Sequence, residues 1–215
     1  AAALVQVLEG KGTRYNAAEF NAIGRMVSTN AVVMVRNDAP ATSIEAMKKL
    51  QVAFATDGKG SQSQYNIVLM GKLLGPKIRI VPGYRGSARI LHAMEQKEVD
   101  GYAYSWASFK ARKADWLAKK KVVLLAEIGL EGSPDLKVPL LKDLATNAEH
   151  RKMLELVASP TAIGRSFIAP PEVPMDRIAA LRGAFDATMK DPAFLTYSMK
   201  RKMVIQPMSG AEVQR

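Results

Sequence analysis

The chain has 215 residues, 48% of them hydrophobic, with no cysteine and a formal charge of +11. That length allows one large domain or two small ones around a sizeable core. The missing cysteine excludes disulfides, thiolate metal sites and a cysteine nucleophile, and no apolar run approaches the ~20 residues that cross a bilayer. The charge favours acidic partners in general (nucleic acid, an anionic membrane, acidic solutes) and selects none of them.

Residues 1–8 read as a helix closed by Gly10 and Gly12. Nothing ahead of Ala1 serves as a cap and no signal peptide is visible, so the sequence is expected to start inside an element. Residues 15–25 suit a short helix or turn, and the continuous apolar run 31–35 reads as a buried strand. Asn37 to Pro40 break it, and Thr42 with Glu45 then has the form of a capping box opening a helix to Leu50.

Strand 52–55 follows, then the small-residue loop 56–61, then a segment in which Tyr65, Val68, Leu69 and Leu73 fall at helical spacing. Gly75-Pro76 ends that helix and 78–81 is a strand. Loop 82–87 is of the same kind and leads to a helix over about 88–96. Residues 99–103 form a strand, Ser105 opens a helix bearing Trp106, Phe109 and Trp116, and 122–126 is a further strand. This alternation predicts an α/β fold with a parallel sheet covered on both faces. Beyond it, 131–139 reads as loop, 149–158 as helix, 163–169 as extended chain and 174–190 as a long helix. Asp191 caps another helix reaching about Arg201, and 203–205 is a last strand candidate.

A strand feeding a Gly-rich turn and a helix points unpaired backbone N–H groups at an anion, and the helix N-terminus adds partial positive charge. Gly58 and Gly60 let the backbone approach a ligand, and Ser61 or Ser63 supplies a cap. The letters exclude three familiar forms. A Walker loop ends Gly-Lys-Ser/Thr, whereas Lys59 precedes Gly60. A dinucleotide fingerprint needs a third glycine where Ser63 stands and an acid near residue 80. The nucleophile elbow Gly-x-Ser-x-Gly is absent. A carboxylate or another small oxyanion remains, alongside the plain reading of a βα turn whose glycines serve the chain path alone. In a parallel sheet ligands gather at the carboxyl ends of the strands, where loops 56–61, 82–87 and 104–105 open. Lys59, Arg85, Tyr84 and Tyr104 add charge and hydrogen bonds there, although surface solvation suffices for Lys59 and Arg85.

Five segments carry a resemblance to a known family: FATDGKGSQSQY, IVPGYRGSARILHAMEQKEVDG, DLKVPLLKDL, IGRSFIAPPEVPMDRIAALRGAFDATMKDPAF and KRKMVIQPMSGAEVQ. Together, in order and over almost the whole chain, they resemble the periplasmic solute-binding (Bug) receptors of tripartite tricarboxylate transporters. The resemblance implies a two-lobed, Venus-flytrap fold of the periplasmic-binding-protein type II kind, with a mostly parallel sheet in each lobe. It places crossovers near residues 32–36 and 162–167, a second lobe over 42–160, and a first lobe made of 1–41 and 161–215. The family's opening strand and Pro-Gly-Gly-type clamp loop have no counterpart ahead of Ala1, so the first lobe is expected to be incomplete and a signal peptide to belong to the precursor.

By position the resemblance assigns Gly58, Lys59, Gly60, Ser61 and Gln62 to the second-lobe clamp, Lys59 and Gln62 at places where the family varies. It matches Tyr84 and Gly86 to a Tyr-x-Gly loop and Asp100 to a Val-Asp position. With Tyr104 and Ser105 these form the expected ligand-binding set. The implied function is capture of a small carboxylate (a di- or tricarboxylate or an aromatic acid) between two lobes by a periplasmic monomer, and its delivery to a membrane permease. No metal, organic cofactor or nucleic-acid partner is expected.

Three other readings stay beside this one. An enzyme acting on a small carboxylate would draw on Asp57, Asp100, His92 or His150, but the two histidines have no metal-ligand spacing. A nucleic-acid surface would use Lys110, Arg112, Lys113, Lys119, Lys120 and Lys121 beside Trp106, Phe109 and Trp116, yet those aromatics share a helical stripe that reads as core. The effector domain of a transcriptional regulator shares the fold class, and no helix-turn-helix precedes it here.

Overall fold

The computed structural model describes residues 15–215, so the helix expected over residues 1–8 lies outside the described residues. A short 3-10 turn (Ala17–Glu19) leads into β1 (Asn21–Arg25). There follow β2 (Ala31–Arg36), α1 (Ile44–Met47), β3 (Val52–Ala55), α2 (Gln62–Leu74), β4 (Ile78–Val81) and α3 (Ser87–Glu95). Next come β5 (Gly101–Ser105), α4 (Trp106–Arg112), α5 (Ala114–Ala118), β6 (Val122–Ile128) and α6 (Ala148–Ile163). The chain closes with β7 (Ser166–Ala169), α7 (Met175–Thr188), α8 (Pro192–Lys200), β8 (Met208–Ser209) and α9 (Gly210–Gln214). The described residues divide into two compact units, one holding Asn30–Thr161 and the other residues 15–29 together with Ala162–Arg215.

The larger unit is built on a five-stranded sheet in the order β4-β3-β5-β2-β6. Strand β3 pairs parallel with β4 and β5, while β2 runs antiparallel to both β5 and β6. Four strands therefore share one direction. Residues 30–41, grouped by the sequence reading with the first lobe, lie in this unit because β2 is hydrogen-bonded on both of its edges here.

Both faces of the sheet are covered, which explains why β2 reads as an unbroken apolar run. Val33, Val35, Phe54 and Ala103 pack with Met47 of α1, Ile67 and Met70 of α2, and Leu154 and Ala158 of α6. Val32, Met34, Ala55, Tyr102 and Tyr104 pack on the other face with Ile90, Leu91 and Met94 of α3 and with Trp106, Phe109 and Trp116. The three aromatics of the suspected nucleic-acid patch are thus core residues. Gly101 makes the closest approach in the sheet: a Cβ there would stand 2.6 Å from the Phe54 ring and 2.8 Å from the Met34 carbonyl. This is why a glycine opens β5.

The smaller unit has a three-stranded sheet in the order β7-β1-β8, and both pairings are antiparallel. A mostly parallel sheet was expected in each lobe, and in this unit both pairings are antiparallel. Residues 21–25 form β1 instead of the expected short helix or turn. The final strand is Met208–Ser209 rather than 203–205, since Ser209 caps α9 in a complete capping box with Glu212. In α1 the cap is Ser43, which accepts from the Ala46 N–H at 3.1 Å, not Thr42. Helix α6 runs on to Ile163 through Pro160; Ser159 Oγ donates to the Leu156 carbonyl that Pro160 cannot reach.

Candidate functional site

The register brings four strand ends to one edge of the larger sheet. Ala31 at the start of β2 lies opposite Ser105 and Ile128, the ends of β5 and β6, and Ala55 pairs with Val81 at the ends of β3 and β4. The loops after β3, β4, β5 and β6 all leave from this edge.

In the first loop Gly58 and Gly60 take φ of +137° and +77°, values that favour glycine. Ser61 caps α2, its Oγ accepting from the Gln64 N–H at 3.2 Å. The loop spends part of its own donor set. Gly60 N–H donates to Gln64 Oε1 at 2.8 Å and Ser61 N–H to the Gly58 carbonyl at 3.2 Å. The amides of Gly58, Lys59, Gln62 and Ser63 have no partner among the described residues.

The loop also holds a carboxylate of its own. Asp57 Oδ2 accepts from Ser63 Oγ at 2.9 Å and from the Tyr102 hydroxyl at 3.1 Å. Ser63 Oγ in turn accepts from the Asp57 N–H at 3.1 Å and lies 3.1 Å from Ser61 Oγ. Burial, followed by the Asp57 charge and hydrogen bond, pushes the Tyr102 phenol well above its ordinary value, so it stays a donor.

In the second loop Gly86 caps α3 at φ +90° with no side-chain bond, leaving the Ser87 and Ala88 amides without a partner among the described residues. Ser87 Oγ donates to the Tyr104 hydroxyl at 3.3 Å. Tyr102 and Tyr104, two apart on β5 and therefore on one face, stack with ring centroids 5.3 Å apart. The pair ties the first loop, through Asp57, to the second, through Ser87. Ser105 caps α4 at the same edge, accepting from the Ser108 N–H at 3.4 Å.

A third loop is pinned beside them. Glu127 is fully buried and accepts from Asn30 Nδ2 at 2.7 Å and from the Ser133 N–H at 3.0 Å. Further along, Asp135 accepts from Trp106 Nε1 at 3.0 Å and from Lys110.

The structure therefore gathers Gly58, Lys59, Gly60, Ser61, Gly86, Tyr104 and Ser105 at one edge. Three of the expected residues turn elsewhere. Gln62 Nε2 donates to Asn66 Oδ1 and to the Val157 carbonyl, both at 3.0 Å, which fastens α2 to α6. The Tyr84 phenol faces Glu98 in a groove shared with Arg89 and His92; burial first, and then Glu98, raises its pKa. Asp100 sits at the start of β5, where Oδ2 accepts from the Ala53 N–H at 2.8 Å and Oδ1 lies 3.4 Å from Arg36. Its carboxylate is a strand-end anchor.

Asp57, Ser63, Ser87 and Tyr102 are the members that sequence reasoning left out of the set. Only Tyr102 carried a legible signal, its spacing of two from Tyr104 on a strand. His92 is exposed, and His150 Nδ1 lies 3.0 Å from the Leu73 carbonyl. Among the described residues no group of three or more His, Asp or Glu side chains gathers in the manner of metal ligands.

No protein-family model matches the chain, and no curated protein matches it. Solved structures do. A ligand-free TctC solute binding protein from Polaromonas superposes with a TM-score of 0.70 at 18% identity, over 100% of this chain and 70% of that one. The R. palustris protein Rpa4515, solved with adipate, gives 0.63 at 16% identity, over 95% of this chain and 66% of that one. MatC from Rhodopseudomonas palustris, solved with malate, gives 0.63 at 16% identity, over 94% and 66% respectively. The chain thus spans about two thirds of the length of these relatives, and slightly less for the last two. The fold is that of the TctC-type periplasmic solute-binding proteins.

Proposed function

We propose that the protein is an exported solute-binding receptor that captures a small carboxylate and delivers it to a membrane permease of the tripartite tricarboxylate kind. The observation that carries this reading is the convergence of helix N-terminal amides without a partner among the described residues, Gln62 and Ser63 of α2 and Ser87 and Ala88 of α3, at the carboxyl edge of the sheet that bears the Tyr102–Tyr104 pair. Such an edge offers an acid group backbone N–H donors that have no partner among the described residues. The relatives solved with adipate and malate support a carboxylate as the solute.

Nothing in the arrangement calls for covalent chemistry. Asp57, Asp100, His92 and His150, the groups an enzyme would use, do not meet: Asp100 is spent on Arg36 and Ala53 N–H, and the two histidines lie outside the edge. Binding is the whole event, and the solute changes the protein's state only through contacts that differ between states. No described helix is long and apolar enough to cross a membrane, so transfer through the bilayer is assigned to the permease.

Isothermal calorimetry with mono-, di- and tricarboxylates and aromatic acids tests the proposal, with at least one acid binding at about micromolar Kd. In Gly60→Trp the indole fills the mouth of the first loop, where only Tyr65 Oη stands within 4.0 Å of the new Cβ. Its left-handed backbone costs a non-glycine residue about 1–2 kcal/mol, so the fold survives and binding falls at least tenfold. Unchanged affinity in a folded Gly60→Trp variant sinks the site assignment.

A further inference from the structure

We infer that the edge of the larger sheet opposite the candidate site is a docking surface for an anionic lipid bilayer. The surface stands on observations separate from that site; its use, holding a receptor beside its membrane permease, rests on the receptor reading above.

The register brings the starts of β3, β4, β5 and β6 and the end of β2 to this edge. Five strands make it about 20 Å wide. Exposed lysines stand along its whole length: Lys77 before β4, Lys49 before β3, Lys97 before β5, and Lys119, Lys120 and Lys121 before β6. The backbone that carries them is fixed. Lys77 N–H donates to the Met47 carbonyl at 2.7 Å, Lys121 N–H to the Trp116 carbonyl at 2.9 Å and Asn37 N–H to the Lys121 carbonyl at 3.0 Å.

Most acids of this edge are already matched. Asp38 is held by Arg36 and Lys97, Asp100 by Arg36 and Glu45 by Lys48. Lys49, Lys77, Lys119, Lys120 and Lys121 have no ion pair among the described residues, and the nearby acids in the same condition are Asp115 and Glu98. The edge is therefore left with a surplus of positive charge spread over a broad front, and its complement is an anionic surface of similar breadth.

Other observations select a bilayer over nucleic acid. Trp116, the tryptophan beside this edge, is buried and gives no platform on which a base could stack. The free cations are lysines, whereas Arg36, whose planar fork would grip a single phosphate, is spent on Asp38, Asp100 and the Val99 carbonyl. Leu50 is 52% exposed between Lys49 and Gln51 and sets an apolar side chain among the charges. A leucine flanked by lysines suits the boundary of a bilayer, where ammonium groups meet headgroup phosphates and the apolar side chain enters below them.

Vesicle flotation tests the assignment, with vesicles of phosphatidylcholine alone and of phosphatidylcholine mixed with an equal amount of phosphatidylglycerol. The protein is expected to float with the mixed vesicles only, and less so as salt is raised. Lys120 takes left-handed backbone at φ +50°, so Lys120→Gly relieves the fold. That variant should keep or raise the melting temperature while vesicle binding falls about fivefold. Changing Lys119 and Lys121 to Gln as well should bring the loss to about a hundredfold. Leu50→Ser should lower the binding that persists at high salt. Equal binding to both kinds of vesicle, displacement from the mixed vesicles by duplex DNA at equal phosphate concentration, or binding that survives the triple variant overturns the bilayer assignment and leaves the receptor reading standing. A protein that floats as expected but takes up no carboxylate in calorimetry overturns the receptor reading and leaves the docking surface in place.

Discussion

The two units hide their apolar side chains to very different extents. In the larger one, a five-stranded sheet is covered on both faces, and Phe54, Phe109, Met34, Ile67, Met70 and Ile90 are wholly buried. In the smaller one, Ile23, Ala169, Ile178, Phe185 and Met189 form the core, while Phe167 and Ile168 on β7 remain 54% and 57% exposed. The smaller sheet is tied by polar links as well as by packing. Ala22 N–H donates to Gln214 Oε1 at 2.7 Å, Gln214 Nε2 to the Phe20 carbonyl at 3.1 Å and Arg182 Nε to the Ala22 carbonyl at 2.9 Å. Burial is the larger source of stability and exposed hydrogen bonds a modest one. The lesson is that the sheet carrying the candidate site is also the more deeply buried one, and that the two units should answer differently to the same kind of insult.

The largest expected effect comes from deleting equivalent aromatic rings. Phe54→Ala empties the centre of the larger core and should cost about 3–5 kcal/mol. Both tryptophans of the chain, Trp106 and Trp116, lie in that unit, so tryptophan fluorescence in a urea titration reads the loss directly. Phe185→Ala should leave that fluorescence transition close to its original midpoint while far-UV dichroism loses its smaller-unit component earlier. An equal shift of the fluorescence midpoint in both variants would show the units unfolding as one block and end the comparison.

A smaller loss is expected at the buried carboxylate. Glu127→Ala strands the Ser133 N–H and leaves Asn30 Nδ2 with the Glu131 carbonyl as its remaining acceptor, and should cost about 1–3 kcal/mol, with Glu127→Gln recovering part of it. The same variant sharpens the description of the site, since the loop after β6 loses its anchor beside Asn30. A variant as stable as the parent would mean that this loop is fixed elsewhere.

The smallest effect belongs to the opposite edge of the larger sheet. Hydrogen bonds from Lys97, at 2.5 Å, and Arg36, at 2.8 Å, lower the Asp38 carboxyl to about 2. The folded value lies below the ordinary ~3.9 of an aspartate, so its stabilisation is complete above that value and is lost as pH falls towards about 2. Asp38 is 43% exposed, and solvent screening keeps the contribution small. Melting temperatures from pH 5 to pH 2 should fall slightly less steeply in Asp38→Asn than in the parent, and parallel curves would remove Asp38 from the account.

Much of the larger unit was legible because its signals are local. Apolar runs of strand length, glycines at helix ends and the alternation of strand and helix placed β2 to β6 and most of their helices. Gly75, in the left-handed conformation at φ +83°, ends α2 where Gly75-Pro76 announced it. The smaller unit was harder to read. Strand β1 is short, four of its five residues are small or polar, and its partners β7 and β8 lie more than a hundred residues away. No local pattern specifies such a pairing.

By itself the sequence determined the α/β plan, the position of the two Gly-rich loops at strand ends, and the burial of Trp106 and Phe109 on α4, because periodicity and turn chemistry act over a few residues, whereas Trp116 lies on the separate α5 instead of the single helix expected. Tertiary structure alone decided the polarity of the candidate site. Whether Asp57 faces Ser63 and Tyr102 or open water, and whether Asp100 and Gln62 turn towards the loops or away from them, depends on which strands become neighbours. Those neighbours are set by packing between segments far apart in the chain, and a carboxylate's partners follow from that packing, not from the residues beside it in sequence.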